Sequence, residues 1–124
     1  MPSTLDSIKY VKYNKTHLKA GKRNGNKSIL LEYFNEHEGK VKGMKGFVVL
    51  DNIQDSQESI VLTFWENKED MDAFYHPDSK VLSDLVDKLK PSFEQPPERK
   101  DYEVNKIQII KSNLKLSNRE KTIG

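Results

Sequence analysis

There is no cysteine among the 124 residues. That absence excludes disulfides, thiolate metal sites and a cysteine nucleophile, and it fits a cytoplasmic protein. No apolar stretch approaches the roughly 18 residues of a membrane span, and the opening residues MPSTLDS lack a signal-peptide core. A membrane partner is therefore not expected. Charge of one sign does not prevail either, since 21 Lys and Arg face 19 Asp and Glu for a net +2. The balance is uneven along the chain: residues 1–25 hold six basic residues against Asp6, and residues 105–124 hold five against Glu120. The lysines of residues 105–124 have no interleaved aromatics for base stacking, and the expectation for both ends is solvation rather than a nucleic-acid interface. His17, His37 and His76 are too dispersed for a metal-ligand motif, and no metal or other cofactor is expected. A phosphate-binding loop is missing as well. Three residues, not four, separate Gly21 from Gly25, and Asn26 interrupts Gly25 and Lys27.

What the chain does have is centred on residues 59–75, SIVLTFWENKEDMDAFY. Ile60 to Trp65 is a β-branched and aromatic run of strand length. Asn67 follows as a helix N-cap, with Glu69 and Asp70 in the first turn and Met71, Phe74 and Tyr75 beyond. Ile60, Leu62 and Phe64 point to one side of the strand, and Val61, Thr63 and Trp65 to the other. A strand apolar on both sides needs two covers, and helices of the same chain supply only one.

Around this stretch the chain reads as one domain, long enough to bury about two thirds of its unfolded surface. Residues 1–7 are expected to be a flexible leader, 8–104 the folded domain and 105–124 an extension. Ile8 to Leu18 reads as a first strand, with Ile8, Tyr10, Asn14 and Leu18 on one phase and Val11, Tyr13 and His17 on the other. GKRNGNK at 21–27 reads as a turn. Ile29, Leu30, Tyr33, Phe34, His37 and Val41 fall at helical spacing, giving a helix from Lys27 to Lys40 ended by Gly39 or Gly43. Gly46 to Ile53 is a second strand, joined to the third by the polar turn DNIQDSQES. Pro77 breaks the second helix at Tyr75 or His76, and Asp78 or Ser79 caps a further helical piece carrying Val81, Leu82, Leu85, Val86 and Leu89. Pro91 closes it, PSFEQPPER connects, and Asp101 to Ile110 is the fourth strand, with a phase switch near Asn105 that suggests a bulge. In the remaining tail, Leu114 and Leu116 are the residues expected to find cover.

This order, β-α-β-β-α-β, is the α+β ferredoxin-like arrangement: a four-stranded antiparallel sheet with its helices on one face. The other face would bring Val, Ile and aromatic side chains into water. A homodimer through the sheet faces, burying roughly 1,200–2,000 Å², is the expected cover.

GMKGFVVLDN at 43–52, followed by ESIVLTFWENKEDMDAFY at 58–75, resembles the antibiotic biosynthesis monooxygenase (ABM) domain family. The likeness covers about residues 8–104 and implies a dimeric α+β barrel. It also implies cofactor-independent oxygenation of an aromatic or quinol-like small molecule, in which the substrate supplies the electrons and the pocket is dry and apolar. The alternative function is a non-catalytic dimeric barrel that binds a small apolar ligand. Haem-degrading relatives use an Asn on the first strand with a Trp and a His of the second helix. Here Trp65 precedes that helix and the following piece offers Asp84, so that triad is not matched.

The catalytic candidates are Trp65 and His76. Trp65 either lines the pocket, its indole N–H orienting a substrate oxygen, or plugs the core. His76, at the helix break, is either a general base or a solvated cap. For substrate binding the candidates are Asn14, Tyr10 and Phe74, with Tyr13, Tyr33 and Tyr75 as further possible donors. His37 reads as a core or interface histidine, and His17 has no assigned role.

Overall fold

The computed structural model describes residues 4–111. Four strands form one antiparallel sheet in the order β2-β3-β1-β4: β1 is Tyr10–His17, β2 Met44–Asp51, β3 Glu58–Trp65 and β4 Glu98–Glu103. Helix α1 (Arg23–Glu36) crosses from β1 to β2, while α2 (Lys68–Phe74) and α3 (Lys80–Leu89) share the crossover from β3 to β4. All three helices lie on one face of the sheet, which is the ferredoxin-like topology expected from the element order. Residues Thr4–Ser7 make a single 3-10 turn that leads into Ile8, and residues 1–3 lie outside the described range. The expectations for Leu114 and Leu116 also fall outside it.

Local chemistry accounts for most element ends. Asn67 caps α2 as expected, its side-chain oxygen accepting from the Asp70 amide at 2.9 Å. Of the two candidates for α3, Ser79 is the cap, its hydroxyl accepting from Leu82 N. Gly43 sits at φ +79° and its backbone oxygen accepts from Glu66 N at 3.0 Å. A Cβ there would collide with the Asp70 carboxylate, so the position needs glycine on two counts. Just after it the β2–β3 register slips between Met44 and Gly46, leaving Lys45 as the extra residue of a bulge.

Two expectations are corrected. Residues 23–27 are the first turns of α1 rather than a turn between elements. Tertiary contacts outweigh the weak helix propensity of RNGN: Asn26 is buried and donates to the Ser92 hydroxyl at 3.0 Å, and Arg23 donates to the Asn52 carbonyl at 2.9 Å. The fourth strand is Glu98–Glu103, not Asp101 to Ile110. It pairs with β1 along the backbone while carrying mostly charged side chains, and the isoleucines 107, 109 and 110 beyond it are in no strand and exposed. The apparent phase switch near Asn105 is thus the end of a strand and not a bulge.

The core between sheet and helices has two parts. Leu30, Tyr33, Phe34, Val61, Leu85 and Leu89 form one, with Phe47, Val49 and Phe93 against it. Trp65, Met71 and Phe74 form the other, with Tyr10, Val41, Tyr75 and Leu82 around them. Burial alternates along β3 and, from Val11 onward, along β1. The side turned to the helices carries Lys12, Asn14 and Thr16 from β1 and Ser59, Val61, Thr63 and Trp65 from β3. The side turned away carries Val11, Tyr13, Ile60, Leu62 and Phe64, flanked by Leu50 and Tyr102 at 44% and 50% exposure.

Candidate functional site

Three polar residues of β1 face the helices, where apolar ones would be the simpler choice. Each has a partner. Asn14 donates to the Val61 carbonyl at 3.1 Å and to the Tyr75 hydroxyl at 3.2 Å, and its own oxygen accepts from Arg99 Nε at 3.0 Å. Thr16 donates to the Ser59 carbonyl. Lys12, 8% exposed, forms an ion pair with Asp101 of β4 and lies 4.7 Å from the centre of the Tyr75 ring. A second branch runs from Trp65 Nε1 to Thr63 Oγ1 at 2.8 Å and on to the Tyr75 hydroxyl at 3.0 Å. Tyr75 is therefore the junction of two hydrogen-bonded branches, one from β1 and one from β3.

Burial pushes the Tyr75 phenol up from its ordinary range, against the opposing pull of its bonds to Thr63 and Asn14 and of the Arg99 charge. At neutral pH it is a protonated hydroxyl, a donor rather than a base. Either oxygen of the Thr63–Tyr75 contact can donate; with Thr63 donating, the phenol proton is left to point elsewhere. The Arg99 guanidinium also sits 5.3 Å from the same ring.

Beside this junction is a cavity of about 50 Å³. Its walls are apolar: Leu30 and Phe34 of α1, Val61 of β3, Phe74 of α2, Leu82, Leu85, Val86 and Leu89 of α3, and Phe93. The polar lining is Asn14, Thr16, Tyr75 and Arg99, with Asn26 on the α1 side. An apolar chamber with a few convergent polar groups is the usual form of a small-molecule site. It is smaller than a cavity that accepts benzene, roughly 150 Å³, so a ring-sized ligand needs more room than it offers here.

The structure brings together two of the substrate-binding candidates, Asn14 and Phe74, both in the cavity lining. Tyr10 packs against the Trp65 cluster instead. Trp65 has no exposed surface, its indole N–H is taken by Thr63, and it stands behind Phe74 at 5.4 Å between ring centres. His76 is exposed, outside the cavity lining, with Nδ1 accepting from the Asp78 amide at 3.1 Å. His37 stacks on Tyr33 at 4.1 Å, and His17 pairs with Glu94. Among the described residues no three His, Cys, Asp or Glu side chains cluster as a metal site, and no helix is long and apolar enough to cross a membrane. Sequence reasoning missed Thr63 and Arg99. The available signal was the run of polar residues on the buried phase of β1, which demands partners across both neighbouring strands.

No protein-family model matches the chain, and no curated protein matches it by sequence. Solved structures do. The chain is similar to a Streptomyces coelicolor monooxygenase solved with nanaomycin D, with TM-score 0.73 and 11% identity over 89% of this chain and 100% of that one. It is also similar to a Chloroflexus aurantiacus protein named as an antibiotic biosynthesis monooxygenase without proof of that activity, with TM-score 0.64 and 18% identity over 83% and 99%. A Nitrosomonas europaea protein of unknown function gives TM-score 0.67 and 12% identity over 86% and 98%. At such identities the likeness establishes a shared fold.

Proposed function

We propose that two copies of the chain pair through their open sheet faces, and that the cavity under α3 takes an aromatic or quinol-like small molecule for cofactor-independent oxygenation. The observation that carries this reading is the concentration of Asn14, the Tyr75 hydroxyl and Arg99 in a chamber whose walls are mostly apolar. Support comes from the fold shared with proteins named as monooxygenases, one of them solved with nanaomycin D. Phe74 and its apolar neighbours hold the ring dry, and the Asn14–Tyr75 pair orients a substrate oxygen. The substrate is the reductant: 1-naphthol plus O₂ gives naphthoquinone plus water, with all four electrons leaving the ring system. The experiment is oxygen uptake with 1-naphthol. Uptake of one O₂ per quinone formed, above the protein-free rate and lost in Tyr75→Phe, is expected. Uptake at the blank rate overturns catalysis.

A second reading has an observation of its own. Among the described residues lining the cavity there is no carboxylate or imidazole to accept a proton. A barrel that binds a small apolar ligand without turning it over needs none. Saturable 1-naphthol binding without oxygen uptake would select this reading.

A further inference from the structure

Among the described residues that line the cavity, Arg99 is the one with a formal charge. Its Nε is spent on Asn14, yet among the described residues the two terminal nitrogens of the guanidinium have no hydrogen-bond or carboxylate partner. The other basic residues nearby are committed: Lys12 to Asp101, and Lys100 to Glu98. Arg99 is exposed while also lining the cavity, so the unspent fork stands at the mouth, between water and the apolar chamber.

We propose that the ligand of this site is an apolar acid, its carboxylate gripped by Arg99 at the mouth and its hydrocarbon body lying against Phe74, Leu85 and Phe93. The proposal rests on the reading of the cavity as a small-molecule site, and it holds for the catalytic and the non-catalytic version alike. Charge bookkeeping limits the headgroup to a monoanion. A single free cation neutralises one negative charge, and a phosphate dianion would be left half-compensated beside apolar walls. Geometry narrows it further, because a planar guanidinium fork matches the two oxygens of a carboxylate. The bond from Nε to Asn14 fixes the plane of the fork before any ligand arrives, so little further ordering is required on binding.

The test compares 1-naphthoate with its neutral counterpart 1-naphthamide by calorimetry, on the full-length protein and on Arg99→Gln. The acid should bind the wild-type chain about tenfold tighter or more, the span of a charge-assisted hydrogen-bonded pair. In Arg99→Gln the advantage of the acid over the amide should vanish. Equal affinities in the wild-type protein would overturn the proposal and leave the binding cavity standing, and so would a preference that survives in the variant. If neither compound binds, the cavity reading fails and takes the proposal with it. Should Arg99→Gln lose its native circular dichroism, the wild-type comparison decides alone. Oxygen uptake plays no part in any of these outcomes, so a non-catalytic barrel and a wrong ligand class are told apart.

Discussion

The two sides of β1 and β3 are the reverse of what burial alone would dictate. The side under the helices is rich in polar groups, with Lys12, Asn14, Thr16 and Thr63 all buried. The side away from them shows Val11, Tyr13, Ile60, Leu62 and Phe64 with no helix above. Buried polar groups are costly unless bonded, and uncovered apolar ones are costly in water. The first side meets that demand internally, through the branches that converge on Tyr75. The second side has no such cover within the chain. In the function proposed above, the first surface recognises the ligand and the second is where two copies associate.

The comparison can be broken most severely at Trp65. Trp65→Ala should cost about 3–5 kcal/mol in chemical denaturation, since it removes the largest buried side chain and leaves a cavity behind Phe74. A loss under about 1 kcal/mol would mean that the polar side does not depend on its apolar backing. Thr63→Val, nearly isosteric, should cost about 1–3 kcal/mol because it strands the indole N–H and takes one partner from the Tyr75 hydroxyl. A neutral result would show that the branch through β3 is dispensable.

A pH titration sharpens the same contrast. Tyr75 is raised by burial, and Tyr33 is pushed up to about 12 by burial and then by the Asp84 charge, its hydroxyl donating to the Val81 carbonyl at 2.8 Å. Both phenols keep their protons longer folded than unfolded, so above the unfolded value of about 10 the unfolded chain binds fewer protons and stability falls with rising pH. The thermal midpoint should hold up to about pH 9.5 and then decline through about pH 12, less steeply in Tyr75→Phe. A midpoint flat across that window would contradict the burial of both hydroxyls. The smallest effect on the single chain is expected from Leu62→Lys on the open face. Its circular dichroism should stay native while sedimentation drops from a dimer to the 14.4 kDa chain. Wild-type protein that already sediments at 14.4 kDa would remove the proposed dimer.

The topology was legible because periodicity and punctuation agreed. The Ile60–Trp65 run, the Asn67 cap and the Pro77 break each act through neighbours in sequence, and each lies where the pattern puts it. The start of α1 was not legible. RNGN is a poor helix former on its own, held in place by Ser92 and Asn52, which are 66 and 29 residues away. Strand β4 was expected, but placed too late in the chain, for a similar reason: all six of its residues are exposed, so no apolar alternation marks it, and its pairing partner is 85 residues distant where Arg99 meets Asn14. Within the site, Asn14 and Phe74 could be picked from their phase. Arg99 sat in what read as a connector, and the commitment of the Trp65 N–H to Thr63 is a two-residue contact that only the strand geometry defines.

The pairing of Lys12 with Asp101 has a bearing on how the last strand finds its place. Sliding β4 by one residue would set Lys100 or Tyr102 opposite Lys12, burying an ammonium group against another cation or a ring. Only the observed alignment offers that ammonium a carboxylate with Arg99 facing Asn14 in the same stroke. A short, exposed strand is in this way held to its offset by two contacts together, since a slide of two residues would give Lys12 the Glu103 carboxylate but take Arg99 away from Asn14.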